Sequence, residues 1–265
     1  MIIETIKNNL NKFNFFNKYN NVCFSDLFMW RTDGFETKLY TDNILSLFYP
    51  SNNFKARIIV NIYTKNFDLI KKKIFYLKKY QNITHIFSEE EFGKNYGFFE
   101  VFHLIEKNPE KLNFLDSSTV GYKLKGQKNF SHVHRNHNFS SINCNKNFEN
   151  PFKIIAHKNI VSAYNPQFMF DDAEKIEISL KNESKSNAYF HIDYFNKNFE
   201  KIQNDKIKIQ KKSLLIYTLK IKSRFIRVSS NLELLNKNDL NGHSGIVNRP
   251  IVFKYFKNNF DVLHA

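Results

Sequence analysis

Alternation of apolar and polar residues is the commonest pattern along this chain. Ala56-Arg57-Ile58-Ile59-Val60-Asn61-Ile62-Tyr63 and Ala188-Tyr189-Phe190-His191-Ile192-Asp193-Tyr194-Phe195 are both rich in β-branched and aromatic residues. Successive strand residues point to opposite faces, so each segment puts three large apolar side chains on one side: Ile58, Val60 and Ile62 in the first, Phe190, Ile192 and Tyr194 in the second. Further strands are predicted at 43–49, 83–88, 98–104, 119–134, 174–180, 213–221, 224–230 and 250–256. Short strands at this spacing are expected of sandwiches. One segment has helical period instead: Ile3, Ile6, Leu10 and Phe13 predict a short amphipathic helix within 2–16.

Part of the pattern is written twice. Lys65-Asn66-Phe67-Asp68-Leu69-Ile70 returns as Lys197-Asn198-Phe199-Glu200-Lys201-Ile202, at an offset of 197 − 65 = 132. A second echo, Phe99–His103 against Phe260–His264, stands at 260 − 99 = 161. Together they predict a duplicated unit with 161 − 132 = 29 extra residues in its second copy. The repeat also decides an ambiguous segment. Asp68–Tyr80 has apolar residues at helical spacing, but its partner Lys206-Ile207-Lys208-Ile209-Gln210 alternates, so both are read as strands.

The expected architecture is all-β: two tandem antiparallel β-sandwich domains of immunoglobulin-like size, from an internal duplication, after a short N-terminal helix. The polar, Asn-rich stretch ending in Pro151 suits a connector. The boundaries are therefore 1–19 for the helical segment, 20–145 for the first sandwich, 146–150 for the linker and 151–265 for the second sandwich.

Composition adds a basic balance, 40 − 25 = +15. Such charge suits an acidic partner such as nucleic acid. However, Lys, Asn, Ile and Phe are enriched together, as AT-rich coding produces whatever the function, and Lys exceeds the Arg that phosphate recognition favours. The lysines of Lys71-Lys72-Lys73, Lys78-Lys79 and Lys211-Lys212 read as solvated strand edges that resist aggregation. With two cysteines, no signal-peptide core and no long apolar run, a cytoplasmic protein without a membrane span is expected.

Three constellations could carry chemistry. Gly126-Gln127-Lys128-Asn129-Phe130-Ser131-His132-Val133-His134 resembles the opening of the first cupin motif, in which His-x-His presents two imidazoles to a metal. The family's Glu is missing; His137 is the nearest substitute, and no second motif follows. His191-Ile192-Asp193, with His243 and Arg249 downstream, resembles the metal triad and cosubstrate arginine of non-haem iron, 2-oxoglutarate-dependent oxygenases. Yet His191 and Asp193 lie on the strand face opposite Ile192, which in a sandwich points outward. Finally, Trp30-Arg31-Thr32-Asp33-Gly34 places the single Trp beside a hairpin turn signal, where it could stack on a sugar or base, or fill the core.

No P-loop, Gly-x-Gly-x-x-Gly, Gly-x-Ser-x-Gly or His-Glu-x-x-His is present. The expectation is thus a non-catalytic binding or interaction protein for a glycan or protein partner, or for self-association. Its contacts would come from Trp30, Arg31, Asp33, His243 and Arg249, and it would need no cofactor. The alternatives are a divalent-metal-dependent enzyme, using His191, Asp193 and His243 or else His132, His134 and His137, and a basic nucleic-acid binder.

Overall fold

A computed structural model describes residues 23–43, 45–105, 118–133, 137–141, 153–166, 169–235, 250–257 and 259–264. The predicted N-terminal helix, the 146–150 linker, His134, His243 and Arg249 lie outside them, as does the side chain of His137. The protein is all-β, built from several antiparallel sheets.

The first half contains β1 (Cys23–Arg31), β2 (Phe35–Asp42), β3 (Ala56–Thr64), β4 (Leu69–Leu77), β5 (Asn82–Phe87), β6 (Tyr96–Ile105), β7 (Ser118–Leu124), β8 (Ser131–Val133) and β9 (His137–Ser141). Sheet I has the order β4-β3-β6-β1-β9 and sheet II the order β5-β2-β7-β8. The second half contains β10 (Lys153–Ala156), β11 (Ser162–Tyr164), β12 (Lys175–Asn182), β13 (Ala188–Phe195), β14 (Lys201–Ile209), β15 (Ser213–Thr218), β16 (Phe225–Ser230), β17 (Leu232–Leu235), β18 (Ile251–Tyr255) and β19 (Phe260–His264). Sheet III runs β11-β16-β13-β14, sheet IV runs β15-β12-β18-β19, and β10 pairs with β17.

The order β4-β3-β6-β1 reappears as β14-β13-β16-β11, and β5-β2-β7-β8 as β15-β12-β18-β19. Ile58, Val60 and Ile62 are completely buried, as are Phe190, Ile192 and Tyr194. Backbone geometry keeps the same offset. Among the described residues, the non-glycine residues with positive φ form two pairs, Phe67 with Phe199 and Tyr80 with Lys212, each 132 apart. Such conformations are uncommon for bulky residues, so their recurrence at one offset carries weight.

Several expectations change. The echo at offset 161 does not join equivalent positions: Phe99–His103 belongs to β6, inside sheet I, whereas β19 is the edge of sheet IV. The topological counterpart of β6 is β16, which pairs with β13 as β6 pairs with β3. Any half-buried strand repeats short apolar alternation, whereas the turn echo also demands a particular backbone. The strand predicted at 43–49 is the one-turn helix α1 (Leu45–Phe48). Asn43 ends β2 by donating its amide to the Phe54 carbonyl, while its own carbonyl accepts from Ser46. Residues 119–134 break at Gly126, whose φ of 92° divides β7 from β8. The turn at Asp33-Gly34 is real, but it links sheet I to sheet II rather than closing a hairpin.

Sheet IV is buried on both faces. Ile176, Ile178, Leu180 and Val252 pack with Phe190 and Ile192 of sheet III. Ile251, Phe253, Phe260 and Val262 point the other way and join the core of the first half, with Phe35 and Tyr122. The polar residues of that second face are therefore buried as well. Glu177 meets Arg31, which is 4% exposed and lies between the rings of Phe35 (4.1 Å) and Phe253 (4.7 Å). The guanidinium donates from Nε and Nη2 to both oxygens of Asp33 at 2.8 Å and from Nη1 to Glu177 Oε2 at 2.8 Å. Tyr255 donates its hydroxyl to the same Glu177 oxygen at 2.6 Å, and Lys175 reaches the other at 2.6 Å. Burial alone would raise the Glu177 carboxyl, but the bonds from Lys175, Tyr255 and Arg31 outweigh it and hold the carboxyl below its usual range.

Arg31→Leu removes from the buried Glu177 the partner that ties it to the first half, leaving it with Lys175 and Tyr255. The expected cost, read from denaturant midpoints, is about 3–5 kcal/mol. Adding Glu177→Gln to that variant should restore part of the loss; a double variant no more stable than the single one would show that the ion pair is not the source.

Candidate binding site

The junction of the halves leaves a cleft of about 830 Å3 on the outer side of sheet I. Its first wall begins at the turn after β3. Thr64 Oγ1 accepts from the backbone N–H groups of Asn66 and Asp68 at 3.1 and 3.2 Å, and Thr64 N donates to the Asp68 carbonyl at 2.9 Å. This closed turn holds Phe67 at a φ of 68°. Phe67 thereby folds back onto Phe98 (4.0 Å between ring centroids), which stacks on Tyr63 at 4.7 Å. In the second half Asn196 Oδ1 closes the matching turn, and Phe199 lies flat on Phe225 at 4.7 Å.

The opposite wall is the β12–β13 turn. Asn182 is fully buried and donates its amide to the carbonyls of Ser186, Ile209 and Gln210, while its oxygen accepts from Ser184. These bonds fix Glu183, Ser184 and Ser186 along the cleft. Ile154 to Ala156 of β10 add an apolar side. The walls are tied together where Leu214 N donates to the Lys65 carbonyl at 2.7 Å and Lys212 Nζ sits 5.2 Å from the Phe67 ring centre.

Glu100 is the chemically unusual residue here. It lies in the middle of β6, is 7% exposed, and accepts a hydrogen bond from the Tyr63 hydroxyl at 2.9 Å. Burial pushes its carboxyl up from 4.5 to about 7, against the opposing effect of the Tyr63 bond; Glu183 adds to the rise, and Lys181 and Lys212 oppose it. Beside it Lys181 is ion-paired with Glu183, and burial holds its ammonium below the ordinary lysine value despite that partner. A titratable carboxyl near neutrality, lining a cleft, is a functional-site signal with a stated cause. It can accept or donate a hydrogen bond within one pH unit of neutrality, and the aromatic wall offers a face to an apolar or sugar surface.

Of the residues singled out by sequence, those the structure describes lie outside this cleft. Trp30 is 1% exposed, lies parallel to Phe87 and meets Phe92 at a tilt, with its Nε1 donating to the Tyr63 carbonyl at 2.9 Å. It is a core residue and offers no face for surface stacking. It lies so close to Gly97 that a Cβ there would stand 2.8 Å from Nε1 and 2.1 Å from the Tyr63 oxygen. Arg31 and Asp33 are bonded to each other at the junction of the halves. His132 is exposed and lies against the backbone of Gly121. His191 and Asp193 share the outer face of sheet III, where Lys201 and Asn204 bind Asp193 at 2.5 and 2.7 Å. No group of three or more His, Cys, Asp or Glu among the described residues could hold a metal ion. Glu100 was legible as a lone carboxylate inside the apolar run Tyr96–Ile105, and the Phe67 turn as half of the repeat. Nothing in the sequence brings them to Lys181 and Glu183.

No protein-family model matches the chain, and no curated protein matches it in sequence. No helix among the described residues is long and apolar enough to cross a membrane.

A carboxyl with a raised folded-state pKa binds a proton more tightly folded than unfolded. Its ionisation therefore costs stability as pH rises from about 4.5, and the full cost is present above about 7. Glu100→Gln keeps an acceptor for Tyr63 and removes that cost. Relative to the wild type, the variant should gain stability between these pH values, by up to about 3 kcal/mol. Urea midpoints measured across that range check this; parallel pH profiles would contradict it.

Proposed function

We propose that this chain is a non-catalytic binding protein made of two duplicated β-sandwich modules of immunoglobulin-like size, spanning about 20–145 and 151–265 around the 146–150 linker, and that it holds a glycan in the cleft between them. The duplication is supported by the repeated strand orders and by the paired positive-φ residues at offset 132. The observation that carries the ligand reading is the composition of the cleft. A nearly buried carboxyl lies beside an aromatic stack, with Asn66, Asp68 and Ser186 near the rim. Sugar hydroxyls donate to carboxylates and amides, and the C–H face of a pyranose rests on aromatic rings. Glu100 near its own pKa can also donate to a ring or glycosidic oxygen, as a fully ionised carboxylate cannot. This reading requires no cofactor.

Titration calorimetry against a panel of neutral and acidic oligosaccharides provides the test. Phe67→Ala should weaken the best binder about tenfold, the loss of one stacked face, with the melting temperature little changed. If no oligosaccharide binds at millimolar concentration, or if Phe67→Ala binds like the wild type, the cleft is not a sugar site.

A further inference from the structure

The outer face of sheet III differs from the corresponding face of sheet I. On sheet I, Ile59, Phe102, Leu104 and Leu27 are all at most 4% exposed, so that face is covered. On sheet III the outer face is more open and basic along β13 and β14, while Ser229 and Asn231 at its β16 side are buried. Tyr189, 46% exposed, stands opposite Lys208 on β14; His191 stands opposite Lys206; and Asp193 faces Arg227 on β16. Lys206, Lys208 and Arg227 are exposed. The one acid in these rows, Asp193, is already neutralised by Lys201. Neither Lys206 nor Lys208 is engaged by a carboxylate of the described residues. Aromatic faces mark both ends of the surface. Tyr189 lies at one end of β13, and at the other Phe199, 71% exposed, lies flat on Phe225. Six residue steps along β13, from Tyr189 to Phe195, separate those ends, a span of about 20 Å.

We propose that a single-stranded nucleic acid binds across this face, with its phosphates on Lys206, Lys208 and Arg227 and its bases against Tyr189 and Phe199. Exposed cations favour any polyanion, but spaced aromatic faces add a term that only a chain of planar bases can use. A duplex keeps its bases stacked inside and leaves Tyr189 without a partner. An acidic peptide gains charge contacts but little from the flat rings. The site is separate from the cleft and does not depend on the glycan reading.

The test measures fluorescence anisotropy of a labelled oligothymidylate of roughly 15 nucleotides, across a series of salt concentrations, with the full-length chain. Binding should weaken steeply with salt. Lys206→Ala/Lys208→Ala/Arg227→Ala should flatten the log–log salt slope by about two, the release expected from three phosphate contacts on a single strand. Tyr189→Ala should cost about tenfold in affinity with little change in slope. Thermal unfolding confirms that each variant is folded; the substituted side chains are exposed, so little change is expected. A charge-matched control, Lys72→Ala/Lys78→Ala/Lys79→Ala on the first half, should keep the wild-type slope. Three results would each overturn the proposal. One is no binding at low salt. Another is an equal loss in the control. The third is a Tyr189→Ala variant that binds like wild type while inorganic polyphosphate competes as well as the oligonucleotide, which would mark a general polyanion surface.

Discussion

A guanidinium taken out of water must recover in contacts what it loses in hydration. Arg31 does so with a fork onto Asp33, a bond to Glu177 and two aromatic rings. Asp33 and Phe35 come from its own turn, whereas Glu177, Tyr255 and Phe253 come from the other half. The ion is therefore satisfied only when the halves are joined in one register. The same contact lets the polar side of β12 be buried, so that sheet IV serves two cores at once. Ser131 bonding Asp261 and Val262, and Lys65 accepting from Leu214, extend the junction on either side.

Burial at this junction also explains the unusual ionisation in the cleft. Glu100 would be an ordinary surface carboxylate if the outer side of sheet I faced water, as the corresponding side of sheet III does. Covered, it keeps one bond from Tyr63 and two nearby lysines, too little to offset its desolvation. The two sheets have the same strand order but unlike outer faces, buried and largely apolar at Ile59, Phe102 and Leu104 in sheet I, exposed and basic along β14 at Lys206 and Lys208 in sheet III.

The turn Lys65-Asn66-Phe67-Asp68 shows how far local reading extends. Its echo at 197 located two strands and overruled a helical spacing in Asp68–Tyr80, and the structure adds that Phe67 and Phe199 share a positive φ. The histidine pairs are weaker signals, because His-x-His and His-x-Asp require only that two residues share a strand face, which alternation supplies by chance; His134 and His243, which would complete them, lie outside the described residues. Trp30 misled for a related reason. A Trp beside a turn can point either way, and here Gly97 leaves room for the indole to pass beneath β6 and reach the Tyr63 carbonyl.

Alternation, turn chemistry and the repeat determined many of the strands, the inward faces of β3 and β13, and the all-β class, since each depends on residues near one another in the chain. Whether the second face of a strand meets water, a ligand or another sheet is not encoded in that pattern. Lys175–Asn182 alternates like a half-exposed strand, yet all five residues from Ile176 to Leu180 are buried. Only the docking of the first half onto sheet IV decided that, and with it the partner of Glu177, the depth of Glu100 and the opening of the cleft. These depend on contacts between residues more than a hundred positions apart, such as Arg31 with Glu177 at a separation of 146, and no local rule couples them.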